Sequence, residues 1–231
     1  MEWTPLWISL NTAVPATIIT FFLGIYTAHK IRQLNARLAH ILDVLLTLPL
    51  VLPPTVMGFL LLQLLGKHGL LGRTFEVTGI QIIFTRSAAV IAAVVVSFPL
   101  MYRSAKAAFE QVDPNLIYAA RTVKLSELQI FWKVLLPIAL PGVVSGAILA
   151  FARALGEFGA TLMVAGNIPG KTQTMPIAIY MAIQSGDEER SAVWAVLLLT
   201  LSFFMILLMN QFTKKGKSSK SKREEWHGID G

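Results

Sequence analysis

The sequence contains no cysteine, and only 14% of its residues are charged. Without cysteine, the chain has no disulfides, no thiolate metal ligands and no thiol redox chemistry. An average soluble domain carries about 25% charged residues, whereas 55% of this chain is hydrophobic. The charged residues also cluster, which leaves apolar runs of about 20 residues, the length of a membrane-crossing helix. The composition therefore predicts an integral membrane protein.

Signatures of catalysis and of nucleotide binding are also missing. The four histidines have no metal-ligand spacing, and there is no glycine-rich Walker loop. We therefore expect neither an enzyme nor a bound cofactor in this chain, with any ATP and magnesium held by a partner subunit. The formal charge of +7 does not indicate nucleic acid binding, because the basic residues flank apolar runs instead of forming an aromatic-laced surface.

Five apolar runs predict an all-α protein with five transmembrane helices. The runs are about Leu6–Ala28, Ile41–Leu65, Ser87–Ala107, Ile138–Ala165 and Ala192–Phe212. Lysine and arginine concentrate in the connections after the first and third runs and in the C-terminal tail. Because basic loops stay cytoplasmic, we expect the N-terminus outside and the C-terminus inside. Residues 1–213 form the predicted transmembrane domain, and the basic, serine-rich residues 214–231 form a predicted disordered cytoplasmic tail.

Two proline-containing segments resemble each other. Leu48–Leu61 and Leu136–Leu149 match at seven of fourteen positions, and each carries two prolines four residues apart. Because proline removes a backbone donor and kinks or breaks a helix, we expect two kinked helix ends beside the cytoplasmic mouth of a passage. A chance match between two Leu- and Pro-rich segments is the alternative.

The coupling segment, about residues 109–136, carries the signals of two short helices. Asp113 and Pro114 suit an N-cap and a first helical position, and Ser126 with Gln129 fits a capping box. Helices this short are marginal alone in water. We therefore expect them to dock on a soluble partner.

Tyr118-Ala119-Ala120, followed by Leu135-Leu136-Pro137, resembles the EAA loop of ABC importer permeases. In that family the loop forms a coupling helix that sits in a cleft of the ATP-binding subunit. The resemblance implies that the contact with the ATPase is made by Leu116, Tyr118, Ala119, Ala120, Arg121 and Lys124. Tyr118 replaces the family glutamate and Lys124 the family glycine, and lysine has a steric cost at positive φ that glycine lacks.

Four blocks resemble the molybdate permease subunit of these importers. They are Leu48–Pro54, Ser97–Met101, Phe151–Thr161 and Gly166–Gly170. The resemblance implies a type I ABC importer permease in the bacterial inner membrane, working by alternating access. It further implies a second copy of this chain, two ATP-binding cassette subunits and an extracytoplasmic oxyanion-binding protein as partners. The alternatives are a sulfate or tungstate permease, a passive anion channel and a membrane enzyme acting on lipid.

Arg153 and Glu157 lie four residues apart inside the fourth apolar run. Each costs about 2.5–3.5 kcal/mol near the bilayer centre on insertion scales, so both should face protein or water and partly neutralise each other. They either lock a helix contact or border the substrate path. Hydroxyl groups that could line such a path belong to Thr47, Thr55, Ser97, Ser145 and Thr161. Each of these hydroxyls can instead bond its own backbone.

Overall fold

The computed structural model describes residues 3–67, 69–77, 79 and 81–227. Every regular element in this part of the chain is helical, which confirms the predicted all-α class. The α-helices are α1 Thr4–Ile31, α2 Ala36–Val51, α3 Pro54–Leu65, α4 Leu70–Val77, α5 Arg86–Glu110, α6 Pro114–Thr122, α7 Glu127–Ile130, α8 Leu136–Leu155, α9 Gly159–Ala165, α10 Met175–Gln184 and α11 Glu188–His227. A π-helical turn, Phe131–Leu135, joins α7 to α8.

Five helical stretches among the described residues are long and apolar enough to cross a membrane. They are Thr4–Ile31, Pro54–Thr74, Arg86–Glu110, Glu127–Leu155 and Glu188–Gln211. The number agrees with the sequence prediction, but the second and fourth apolar runs each prove to be two helices.

The second run breaks where two prolines follow each other. α2 ends at Val51, and both Leu52 and Pro53 have extended backbones, with ψ of 137° and 139°. A residue that precedes proline is disfavoured in the helical region. Both Leu52 and Pro53 are such residues, because they precede Pro53 and Pro54. Pro54 then fits the first turn of α3, where its missing N–H is not needed.

The fourth run breaks at residues 156–158, between α8 and α9. The break does not lie at Pro141, which is inside the continuous helix α8. The similar segments Leu48–Leu61 and Leu136–Leu149 therefore do not produce two equivalent breaks. Pro141 is followed by Gly142, whose lack of a side chain allows close packing against Ala108, whereas Pro53 is followed by another proline.

Helix α5 lies at the centre of the fold and packs against α1 and α8. Small residues make these contacts possible. A Cβ atom on Gly24 would come within 2.7 Å of Met101 Cγ, and one on Gly146 within 2.5 Å of Ser104 Cβ. Such close approach is a common basis of helix association in membranes. The hydrophobic effect does not drive helices together in lipid, so close packing contributes more.

The last two helices, α10 and α11, add features that the sequence does not predict. α10 was not expected, since it is too short to span a membrane and lies in a connection. α11 continues to His227, and the disorder predicted for residues 214–231 stays a prediction. The long-chain lysine, glutamate and arginine residues of this segment have good helix propensity. Trp194 is the one buried side chain that the structure describes between 188 and 211, which leaves this part of α11 a largely apolar exposed surface suited to lipid.

Helix α3 packs closely on α9 through Gly58. A Cβ atom there would lie 2.7 Å from Met163 Cβ and 2.9 Å from Ala160 Cα. We expect Gly58→Ala to force α3 and α9 apart and to destabilise the protein by about 1–3 kcal/mol. The apparent Tm of the detergent-purified protein should fall.

Gly156→Ala provides the matched control. Its Cβ atom would meet only Ala152 O, at 3.6 Å, and Gly156 has a φ of −86° that any residue adopts. An equal loss of Tm in both variants would contradict the close packing of α3 on α9.

Candidate functional site

The coupling segment begins with a capped helix and ends inside a long one. The Asp113 carboxylate accepts a hydrogen bond from Asn115 N at 2.9 Å, at the start of α6. Ser126 and Gln129 form the predicted capping box, with bonds of 3.3 Å and 2.9 Å. The second short helix is not separate, because α7 continues through the π-helical turn into α8 as the stretch Glu127–Leu155. The segment therefore connects directly to a membrane helix.

Lys124 adopts the turn conformation for which the family uses glycine. Its φ is +60°. Leu125 N donates to Ala120 O at 3.2 Å and Lys124 N donates to Arg121 O at 2.9 Å, the two bonds of a Schellman motif. The left-handed conformation costs a non-glycine residue about 1–2 kcal/mol. The turn between α6 and α7 is therefore formed, under strain.

An ion pair spans this turn. Arg121 Nε and Nη2 donate to the two carboxylate oxygens of Glu127 at 2.8 Å and 3.2 Å. These hydrogen bonds to the Glu127 carboxylate raise the pKa of Arg121. The side chains of Arg121 and Glu127 are 50% and 60% exposed. An ion pair this exposed adds little to the free energy of unfolding, so its main effect is to orient the two residues across the turn.

The six residues predicted to contact an ATPase divide by exposure. Leu116, Tyr118, Ala119, Arg121 and Lys124 are exposed, and Ala120 is buried. Ala120, with 7% of its surface exposed, packs within its own chain. The surface available to a partner is thus centred on Tyr118 and Ala119.

The two helix breaks, residues 52–53 and 156–158, lie near each other. A Cβ atom on Gly159 would be 3.0 Å from Pro54 Cβ and 3.4 Å from Thr55 N. Ala154 and Leu155 cluster with Ala93 of α5. Since Ala93 follows Arg86 by seven residues, this level is about 10 Å along α5 from its first residue. The second break, and with it the first, therefore lies within the length of the candidate membrane span α5.

Arg153 and Glu157 form an ion pair at the second break. Arg153 Nη1 donates to Glu157 Oε2 at 2.6 Å. The other carboxylate oxygen, Oε1, accepts from Ala160 N at 2.8 Å and so caps α9. The side chain of Glu157 is 2% exposed, whereas that of Arg153 is 30% exposed. Glu157 thus binds both the first turn of α9 and the Arg153 guanidinium, and part of that guanidinium side chain remains exposed.

The structure separates the five candidate hydroxyls. Three of them bond their own helix: Thr47 Oγ1 donates to Asp43 O at 2.7 Å, Ser97 Oγ to Ala93 O at 2.6 Å and Ser145 Oγ to Pro141 O at 2.9 Å. Ser97 is also fully buried. Thr55 and Thr161 belong to α3 and α9, the helices that meet at the breaks, but Thr55 is exposed and Thr161 is buried.

Sequence reasoning missed a polar cluster between α2 and α5. Asp43 Oδ1 accepts hydrogen bonds from Tyr102 Oη at 2.7 Å and from Lys106 Nζ at 2.9 Å. α2 has no residue that is itself buried, so this cluster is a principal attachment of α2. Asp43 is the one acidic residue in the run Ile41–Leu65, and a lone carboxylate in an apolar run indicates a partner.

Comparison with known proteins identifies the family. Residues 20–216 match the family of binding-protein-dependent transport system inner membrane components. The chain belongs to this family. Such a permease is a multi-pass inner membrane protein, and membership implies in general a dimer that works with ATPase subunits and a binding protein.

Several relatives match the permease over nearly their whole length. ModB of Escherichia coli K12, a molybdenum transport system permease protein, is 41% identical over 209 residues, covering 90% of this chain and 91% of ModB. ModB of Haemophilus influenzae is 37% identical over 217 residues, covering 93% and 95%. YvgM of Bacillus subtilis is 44% identical over 209 residues, covering 90% and 92%.

Solved structures show the same fold. The MetNI methionine ABC transporter, in an inward facing conformation, matches with a TM-score of 0.66 at 19% identity and covers 93% of this chain and 96% of its own. An amino acid ABC transporter matches with a TM-score of 0.62 at 16% identity, covering 90% of each chain. The permease therefore has the type I ABC importer fold, as its sequence predicts.

Replacing Lys124 with the family residue should relax the coupling turn. We expect Lys124→Gly to stabilise the turn by about 1 kcal/mol, because glycine removes the cost of positive φ. Hydrogen exchange of the Lys124 and Leu125 amides, followed by mass spectrometry, should slow. Thr122→Gly is the control, since it places glycine in the last turn of α6 and should speed the same exchange.

The cluster at Asp43 should make a measurable contribution to stability. Asp43→Asn keeps an acceptor for Tyr102 but leaves Lys106 without its counter-charge, and we expect a loss of about 1–3 kcal/mol. The double variant Asp43→Asn/Lys106→Met should recover part of the lost apparent Tm. If the apparent Tm of the double variant did not recover, the uncompensated charge of Lys106 would not be the cause of the stability lost in Asp43→Asn.

Proposed function

We propose that this permease is the transmembrane subunit of an ATP-driven importer of molybdate. The observation that carries the proposal is the 41% identity to E. coli ModB over 90% of the chain. A match of this extent covers the helix breaks and the coupling segment together. Sulfate is the leading alternative substrate, because cysT of Chlorokybus atmophyticus, whose name refers to sulfate transport, is 34% identical over 203 residues.

The proposed assembly contains two copies of the permease, two ATP-binding cassette subunits and an extracytoplasmic molybdate-binding protein. ATP and Mg²⁺ belong to the cassette subunits. The coupling segment lies on the cytoplasmic side, where the excess of lysine and arginine favours its retention. The exposed residues Tyr118 and Ala119 offer a surface for a groove on the cassette subunit, and the buried Ala120 holds α6 on its own chain.

Molybdate would pass between the two copies by alternating access. Irregular backbone at membrane depth is tolerated where protein or water covers it, and both helix breaks are such places. Thr55, Arg153 and Thr161 lie on the helices beside these breaks. The hydroxyls of Thr47, Ser97 and Ser145 bond the backbones of their own helices in this conformation.

Reconstitution tests the function directly. The permease, its cassette subunits and its binding protein are placed in liposomes, and uptake of labelled molybdate is measured with and without ATP. We expect uptake that needs both ATP and the binding protein. Uptake without either would indicate a passive channel. Competition by a hundredfold excess of unlabelled sulfate that abolishes the uptake would favour a sulfate importer.

The docking surface gives a prediction with an internal control. Ala119→Trp places a bulky side chain on the exposed face of α6, so we expect the cassette subunit to be lost on co-purification while the apparent Tm of the isolated permease is unchanged. Ala120→Trp should lower that Tm instead, because Ala120 is 7% exposed and overpacking costs about 1–3 kcal/mol. Retention of the cassette subunit by Ala119→Trp would argue against docking at this face.

A further inference from the structure

The ion pair at the second break is more than a structural lock. We infer that Arg153 is a transient contact for a tetrahedral dianion and that Glu157 keeps this contact weak enough for release. The inference rests on the proposed function, because it assigns a role in anion passage. It follows from the location, the unequal exposure and the two bonds of the Glu157 carboxylate.

Arg153 faces water or protein and not lipid. It lies within the stretch Glu127–Leu155, at the break that meets α3, and an arginine exposed to hydrocarbon there would be costly. Its side chain nevertheless keeps 30% of its surface exposed in the single chain. A passage between two copies is the wet environment that an importer provides at this depth.

Glu157 is committed to two contacts at once. Its oxygens bond Arg153 Nη1 at 2.6 Å and Ala160 N at 2.8 Å, and its side chain is 2% exposed. Guanidinium has five N–H donors arranged in a fork that suits oxyanions. With Nη1 directed at Glu157, the exposed part of the guanidinium is available to an oxyanion in the passage, but the net charge of the pair is zero.

This neutrality matters because the substrate is doubly charged. An unpaired guanidinium in a low-dielectric site attracts a dianion strongly, and conduction requires contacts from which the ion can leave. Removing the negative charge of Glu157 should therefore convert a passing contact into a trap. Removing the positive charge of Arg153 should do the reverse and repel the dianion.

Variants that change charge at Arg153 and Glu157 distinguish a transient anion contact from a purely structural ion pair, called a lock below. Glu157→Gln keeps a carbonyl oxygen for Ala160 N but leaves Arg153 uncompensated. Arg153→Gln leaves the carboxylate alone, and the double variant restores zero net charge. Glu189→Gln, at an exposed position near the start of α11, is the control for the same chemical change away from the break.

The experiment measures two quantities on the complete reconstituted transporter. One is ATP-driven uptake of labelled molybdate into liposomes, and the other is labelled molybdate retained on the purified complex. We expect Glu157→Gln to retain about tenfold more molybdate and to transport it about tenfold more slowly, as one uncompensated charge contact would produce. Arg153→Gln should lose uptake without retention, and the double variant should regain uptake.

A lock predicts a different pattern. Both single variants would then lose assembly or uptake alike, with no added retention, and the double variant would recover assembly and uptake together. That result, or unchanged retention in Glu157→Gln, would overturn the inference. Absence of ATP-dependent uptake by the wild-type transporter would instead count against the proposed function.

Discussion

The fold depends on satisfying backbone polar groups at membrane depth. A continuous helix does this by itself, but α2 stops at Val51 and α8 stops at Leu155. The two breaks are tolerable because they cover each other: α3 packs on α9 through Gly58 and Gly159, and Glu157 accepts from the free amide of Ala160. This arrangement explains why glycines and a buried carboxylate occur where an uninterrupted apolar helix would be simpler.

The coupling turn shows how a fold tolerates an unfavourable residue. Lys124 occupies the left-handed conformation because two other features of the segment favour the same turn: the capping box at Ser126 and the ion pair between Arg121 and Glu127. Each of these contributes a fraction of a kcal/mol to about 1 kcal/mol. Together they match the cost of positive φ at one lysine, about 1–2 kcal/mol.

Much of this architecture could be predicted from sequence, since apolar runs and caps are local signals. The number of long apolar stretches, both caps and the ion pair between Arg153 and Glu157 all follow from spacing. The break at residues 156–158 could not be predicted, because no proline marks it and it depends on α9 packing against α3. The link from Asp43 to Lys106 was also missed, since 63 positions separate the two residues and only tertiary structure brings them together.

The position of the ion pair at the end of a long helix connects the two functional regions. The stretch Glu127–Leu155 begins directly after the coupling turn and contains 29 residues, so it is about 44 Å long at helical rise. Its far end is the break that holds Arg153 and Glu157. This stretch packs along α5 and is a continuous helical connection between the turn and the break. Asp43 attaches α2, which leads to the other break, to the same central helix. Both helices that lead to the breaks, α2 and α8, thus share α5 as their support.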